Sequence, residues 1–376
     1  MTRVERFLAA IDGDASYPPV WTADLSYWIS GSEEAEERFQ SEEGYLELCD
    51  QLGCMPYYWY DSFWAADRVY AEAPEVYQGS GNERTTRWRI DSEVLQRIEC
   101  YSPVSHSEAI VKYPVETVTD LRNLIRIVER SELHGSAALE EYPERRTRWE
   151  SHDGLPCLGL PRSPLPAFIT EWAGVENGIL LLVDEPDLCV VLFDLLSEQE
   201  MPILEALATS VPLVHFPDNI TSEVYTSLFD SYMREHYVRR LEILHGSGST
   251  NEAHNRRNRT RCAVHLDGTV NGMLQKICSV GIDAVEAVTP LPVGDMSVDA
   301  MREVTASSST VLWGGVPGAM FAQPHDREAM ERHVTALLEA WRNTPFILGV
   351  ADQVPPDGDI NLVEMITRIV EDVESA

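Results

Sequence analysis

From residue 155 onward the chain alternates short apolar runs with longer stretches of helical spacing. The runs are Leu155–Leu160, Val211–Phe216, Cys262–Leu266, Ala284–Val288, Val311–Gly315 and Phe346–Val350. Helical patterns lie at 186–209, 222–244, 270–280, 297–306, 326–342 and 360–374. Short apolar runs of this kind suit strands covered on both faces. Parallel neighbours need a long crossover between them, which the helices supply. The rhythm therefore specifies βαβ units around a parallel sheet. A strand near Val20 and one more within 50–60 bring the count to about eight, the number that closes a (β/α)8 TIM barrel. A doubly wound open sheet is the alternative. No strand here runs into Gly-x-Gly-x-x-Gly, so a dinucleotide-binding half is not supported.

The N-terminal part reads differently. Residues 3–11 are helix-like, and Tyr17–Asp24 reads as a strand entering a loop. Residues 32–53 are helical and acidic, and Tyr57–Trp64 is dense in aromatic residues. Residues 77–117 alternate polar and apolar side chains around Gly and Pro, which predicts two or three antiparallel strands. Thr117 and Asp120 are start signals for a helix over Val118–Arg130. Residues 131–153 are charged and read as a linker or surface excursion. The expectation is one α/β domain over 1–376, a TIM barrel with an N-terminal antiparallel-strand insertion at about 77–153. Its 376 residues lie within the range of barrels that carry insertions.

Composition narrows the partners. Sixty-two acidic residues against 29 basic ones give a net charge of −33. Such a surface repels phosphate backbones and anionic lipid, which excludes nucleic acid and membrane surfaces. The apolar run Ile179–Phe193 is broken by Asp184, Glu185 and Asp187 and is too short to span a bilayer. Seven scattered cysteines, with no Cys-x-x-Cys, read as free thiols of a reducing compartment. The first residues carry no signal-peptide core. A cytoplasmic enzyme of small molecules is the expectation, with a homodimer as the open assembly. His245-Gly-Ser-Gly-Ser-Thr reads as a helix stop and loop, because it follows a helix and lacks the phosphate-loop lysine. The cluster Asn255–Arg261 reads as a tether for acidic neighbours.

In a barrel, chemistry gathers where strands end at the C-terminal face. The residues there are Asp24 after the first strand, Asp218 after Val211–Phe216, and His265 and Asp267 at the end of Cys262–Leu266. Glu286 lies within Ala284–Val288, and Asp352 follows the last strand. His265 and Asp267 are two apart on a strand and so share a side. A histidine and a carboxylate there can ligate a metal or act as base and partner. From spacing alone, Asp267 as a helix cap and His265 as a core hydrogen bonder is the commoner outcome. Tyr58, Tyr60 and Trp64 of the aromatic stretch, with Trp21, Trp28 and Trp172, form a candidate wall for an apolar or cationic substrate group. Ordinary core packing is the competing reading for each of them.

Val264-His-Leu-Asp-Gly268, Gly281–Pro290, Gly294-Asp295, Gly314-Gly315 and Phe346–Pro356 follow one another in order. With Pro18–Trp21 and Tyr113–Leu121, they resemble the uroporphyrinogen decarboxylase superfamily, which also contains corrinoid:coenzyme M methyltransferases. The resemblance spans nearly the whole chain and implies the (β/α)8 barrel. The decarboxylases carry an arginine-bearing loop after Pro-Val-Trp, whereas this chain has Thr22–Trp28 with no arginine, and Asp24 there opposes a carboxylate. The methyltransferase branch holds zinc with His-x-Cys and a later Cys. The histidine matches His265, the first cysteine position is Asp267, and the second is Val350. The resemblance thus implies a zinc or other divalent metal at His265 and Asp267, with the thiolates replaced.

The resulting expectation is a methyltransferase-like enzyme. It would act on a small methylated substrate with a corrinoid protein or another acceptor, using His265, Asp267, Asp24, Asp218 and Glu286, with Asp352 at the substrate. The alternative is a decarboxylase or lyase of a smaller acid, with Arg162 or Arg302 as the carboxylate clamp. A barrel that has lost its chemistry is the third reading. Polar residues at the strand ends, which packing does not require, weigh against it.

Overall fold

The computed structural model describes residues 1–246 and 259–375. The serine-rich stretch after Gly246 and the first residues of the Asn255–Arg261 cluster lie outside the described residues. Helix α1 (Arg3–Ile11) opens the chain, held by a capping box between Thr2 and Glu5. Strand β1 (Val20–Thr22) follows, and then the helices Glu33–Phe39 and Glu42–Leu52.

The insertion comes next. Strand β2 (Ala66–Tyr70) pairs antiparallel with β7 (Ser131–Gly135). Between them in sequence, β3 (Glu75–Gln78), β4 (Glu83–Ile90), β5 (Glu93–Ser102) and β6 (Ser107–Lys112) form an antiparallel meander. Four strands thus stand where alternation predicts two or three. The helix Val118–Glu129 starts at the Thr117–Asp120 capping box. Residues 131–153 are not a linker. They form β7 and two helices, the second over Tyr142–Glu150. Tyr142 and Trp149 lie seven residues apart, two helical turns, and both are buried. Glu42 accepts from the Trp149 indole at 2.9 Å and pairs with Arg145. The charged residues around this pair conceal its buried face.

The barrel strands then follow: β8 (Leu158–Gly159), β9 (Leu213–Ile220), β10 (Arg261–Leu266), β11 (Ala284–Val288), β12 (Val311–Pro317) and β13 (Phe346–Ala351). Among the described residues the curled parallel sheet has seven strands, in the order β1-β13-β12-β11-β10-β9-β8. Met55–Tyr57 lies between its two edges. Met55 N donates to Trp21 O at 2.9 Å, while Pro56 and Tyr57 carbonyls accept from Leu155 at 3.1 Å and Cys157 at 2.9 Å. This segment is where the second strand is expected. Pro56 lacks the N–H that a regular ladder needs, so the stretch bridges the edges without forming a strand. Pro156 and Pro161 limit β8 in the same way.

Two apolar layers hold the sheet. Outward side chains such as Trp21, Phe216, Val264, Val285 and Leu348 pack under the helices. Inward ones, including Val20, Leu213, Ala263, Ala284, Trp313 and Ile347, meet Val4, Phe7, Ala10 and Ile11 of α1. These are residues from the N-terminal ends of the strands, so α1 is the floor of the barrel. Phe7 meets the Trp313 ring edge-on at 4.9 Å. Arg261 fixes the floor by a two-pronged pair with Asp12 at 2.8 and 2.6 Å. Arg259 pairs with Asp283, so the described part of the basic cluster does tether acidic neighbours. No described helix is long and apolar enough to cross a membrane.

Candidate active site

Side chains two apart on a strand share a face, so the residue two beyond each floor residue lies one layer nearer the C-terminal ends. Leu213 is followed by His215, Ala263 by His265 and Ala284 by Glu286. The register pairs His265 with Glu286 and Ala263 with His215. Three adjacent strands thus bring three polar side chains together. Glu286 Oε2 lies 2.7 Å from His265 Nδ1 and 3.0 Å from His215 Nε2. Tyr57 donates its hydroxyl to Glu286 Oε1 at 3.2 Å. The Phe63 ring stands edge-on to His215 at 5.7 Å.

The strands are irregular at this layer. The β10–β9 register shifts between Val264 and Leu266, and the β11–β12 register shifts between Val285 and Val288. Ala287, Asn219 and Asp352 have positive φ, of 64°, 49° and 69°. An alanine in that region is strained, and such bulges re-aim the side chains beside them. The two bulges flank His265 and Glu286.

The electrostatics are one-sided. Burial alone would lower the His265 pKa and raise that of Glu286. Their mutual attraction, with hydrogen bonds from both histidines to the carboxylate, overrides this. His265 is held at about 9 and Glu286 at about 2. Asp352 lies with Oδ1 3.9 Å from His265 Nε2, and burial lifts it to about 6. Asp24 is buried and raised by desolvation, although Ser26 and Gln353 donate to it. Asp267, half-buried, adds its charge to the field at His265 and Asp352. No lysine or arginine is among the main influences on any of these groups.

The donor set fits a divalent metal. Two imidazoles and a carboxylate are a known zinc set. The ligand atoms of His215, His265 and Glu286 all lie within 4.8 Å of one another. Ligands on tetrahedral zinc stand about 3.3 Å apart, given bonds of about 2 Å. His215 Nδ1 is buried and without a partner. Asp352, on the far side of the His265 ring, sits where an orienting carboxylate would act. Asp267, the position where the family resemblance puts a thiolate, stands outside this converging set.

The remaining expected residues scatter. Asp218 is fully buried, bonded to Ser163 N at 2.7 Å and to the hydroxyls of Ser163 and Tyr237. It belongs to the wall between sheet and helices. Tyr58 feels the acidic groups, and burial with the charges of Asp24, Asp352 and Glu286 raises its pKa. Trp21 packs in the outer layer, and Trp28 donates to Gly358 O at 3.1 Å. Trp172 packs tilted against Trp88 at 5.1 Å, Trp64 meets Phe63 at 5.3 Å, and Tyr60 is exposed. His215 is not among the expected site residues, and Tyr57 is expected only as part of the aromatic stretch Tyr57–Trp64. The available signal was a histidine inside the otherwise apolar run Val211–Phe216.

Residues 105–373 match the sequence profile of the uroporphyrinogen decarboxylase (URO-D) family. A search of curated protein sequences finds no match. Among solved structures, a methyltransferase from Methanosarcina mazei is 13% identical and superposes with a TM-score of 0.62 over 100% of both chains. A Listeria monocytogenes protein described as a vitamin-B12-independent methionine synthase is 11% identical over 96% of this chain and 97% of its own. Its TM-score is 0.40, and it carries no weight here. At 13% identity the first likeness speaks for the fold alone.

Proposed function

The chain belongs to the uroporphyrinogen decarboxylase family, and on that footing we propose that it is a methyl-transfer enzyme whose reaction centre is the cluster of His215, Glu286 and His265. The substrate in this reading is a small methylated molecule, and the acceptor a corrinoid protein or another methyl carrier. The sheet together with Met55–Tyr57 is then an eight-membered barrel, and the cluster stands at its C-terminal end, where barrel enzymes work.

The observation that carries the reading is the charge of the centre. Glu286, Asp352 and Asp267 act on His265, Asp24 acts on Asp352, and among the described residues no lysine or arginine is a main influence on any of them. No arginine fork stands there to hold a carboxylate, which weighs against the decarboxylase alternative. A cation or a neutral methylated group is favoured. The donor set of His215, His265 and Glu286 would hold zinc or another divalent metal. When bound, such an ion supplies Lewis acidity toward a heteroatom of the substrate. The chain's own residues do the positioning. Glu286 fixes both imidazoles, Tyr57 fixes Glu286, and Tyr58 offers an apolar wall beside the carboxylates.

Elemental analysis of the protein purified after growth in zinc tests this. One divalent ion per chain is expected, and its loss in both His265→Ala and His215→Ala, with folding verified by thermal melting. A folded wild-type protein that takes up no metal would remove the centre from the reading. Methylation of a corrinoid acceptor by the wild type but not by His265→Ala then tests the reaction itself.

A further inference from the structure

The ribbon β2–β7 lies across the segment that follows β8, and a cavity of about 220 Å³ lies between them. In β2, Ala66, Arg68 and Tyr70 alternate with the exposed Asp67 and Val69. Arg68 therefore points inward, where the pattern calls for an apolar side chain. Its Nη1 donates to Ser131 Oγ at 2.8 Å and to Gln199 Oε1 at 2.5 Å, both uncharged. Among the described residues no carboxylate forms an ion pair with it. Two acids that act on it, Glu171 and Glu200, also line this cavity, and both are already held. Glu171 is paired with Arg162 at 3.1 Å and Glu200 with Arg240 at 2.8 and 2.5 Å. Burial accordingly lowers the Arg68 pKa.

A second guanidinium faces the same space. Arg162 lies over the Trp64 ring at 5.6 Å, and its Nε is buried without a partner. Trp64, Tyr70 and Trp172 supply aromatic walls. Keeping a guanidinium away from water without a counter-charge is costly. In a chain of net charge −33, an uncompensated cation in an aromatic cavity calls for an anion. A guanidinium fork matches a planar carboxylate in two hydrogen bonds. A cavity of about 150 Å³ accommodates benzene, so this one has room for a single ring with a carboxylate.

We propose that this cavity binds a one-ring aromatic carboxylate, its acid group on Arg68 and Arg162 and its ring against the indoles of Trp64 and Trp172. The site is separate from the histidine cluster. Phe63 stands between them, touching Trp64 at 5.3 Å on one side and His215 at 5.7 Å on the other.

Benzoate titrated into the full-length protein tests the proposal, read by tryptophan fluorescence and by calorimetry. Saturable binding is expected, with benzamide and inorganic phosphate each at least about tenfold weaker, the size of one charge-assisted hydrogen bond. Arg68→Gln and Arg162→Gln should each weaken benzoate by a similar factor, while His265→Ala leaves it unchanged. Circular dichroism and melting verify that the variants fold, and the comparison of ligands on the wild type needs no variant. Absence of benzoate binding would overturn the proposal. So would equal affinity for benzamide or phosphate, or a folded Arg68→Gln that binds benzoate as the wild type does. A benzoate site that His265→Ala also abolishes would place the ligand at the histidine cluster instead, and would equally overturn it.

Discussion

Replacing Glu286 by glutamine keeps the shape of the side chain and removes its charge. In metal-free protein this strips His265 of the partner that holds its pKa near 9. A histidine whose folded pKa lies above its unfolded value stabilises the fold while it is charged in the native state. That contribution is complete below about pH 6.5 and fades as the pH rises through 9. The rise from 6.5 to about 9 corresponds to roughly 3 kcal/mol at pH 6. Removing one partner of a buried pair independently leads to about 3–5 kcal/mol. Urea denaturation with a chelator present, at pH 6, 7.5 and 9, measures this. The wild type should lose stability across that interval. Glu286→Gln should start about 3 kcal/mol lower at pH 6 and show little further loss. A variant with wild-type stability and the wild-type slope would refute the claim that Glu286 and His265 form a charged pair.

Three further outcomes follow from packing and capping. A methyl group on Gly159 would fall within the Phe63 ring, so Gly159→Ala should cost about 1–3 kcal/mol in thermal or urea unfolding and disturb His215 behind that ring. Arg240→Met leaves Glu200 buried without its cation and should cost about 3–5 kcal/mol. Because burial favours the protonated form of Glu200, that variant should be less stable at pH 8 than at pH 5. Thr117→Ala removes the cap of the helix Val118–Glu129 and should cost about 1 kcal/mol, measurable by urea unfolding.

The barrel was legible because its strands are apolar on both faces and its helices have a clear period. Ala284–Val288 agrees to the residue, and α1 likewise. Where proline interrupts the ladder, at Pro56 and Pro156, the strands were least visible, because hydrogen bonding there is irregular. The site was half legible. His265 lies next to its strand end, where polar residues stand out, and Glu286 is a carboxylate within an otherwise apolar strand. His215 sits inside its strand, and the shifted register at the neighbouring bulge is a property of paired strands, which no single segment displays. Asp218 follows the apolar run Val211–Phe216, yet β9 continues to Ile220 with extra residues at its register shift, and Asp218 there faces Tyr237 and Ser163. Trp149 and Tyr142 went unread because their helix is otherwise charged.

The floor helix has a consequence for traffic. Phe7 against Trp313, and Asp12 against Arg261, seal the end of the barrel below Glu286. The centre is therefore a blind alley with its opening on the Asp352 side. For the methyl transfer proposed above, a donor and an acceptor could not approach from opposite ends. They would share one doorway or use it in turn, past the partly exposed Asp352 and Asp267.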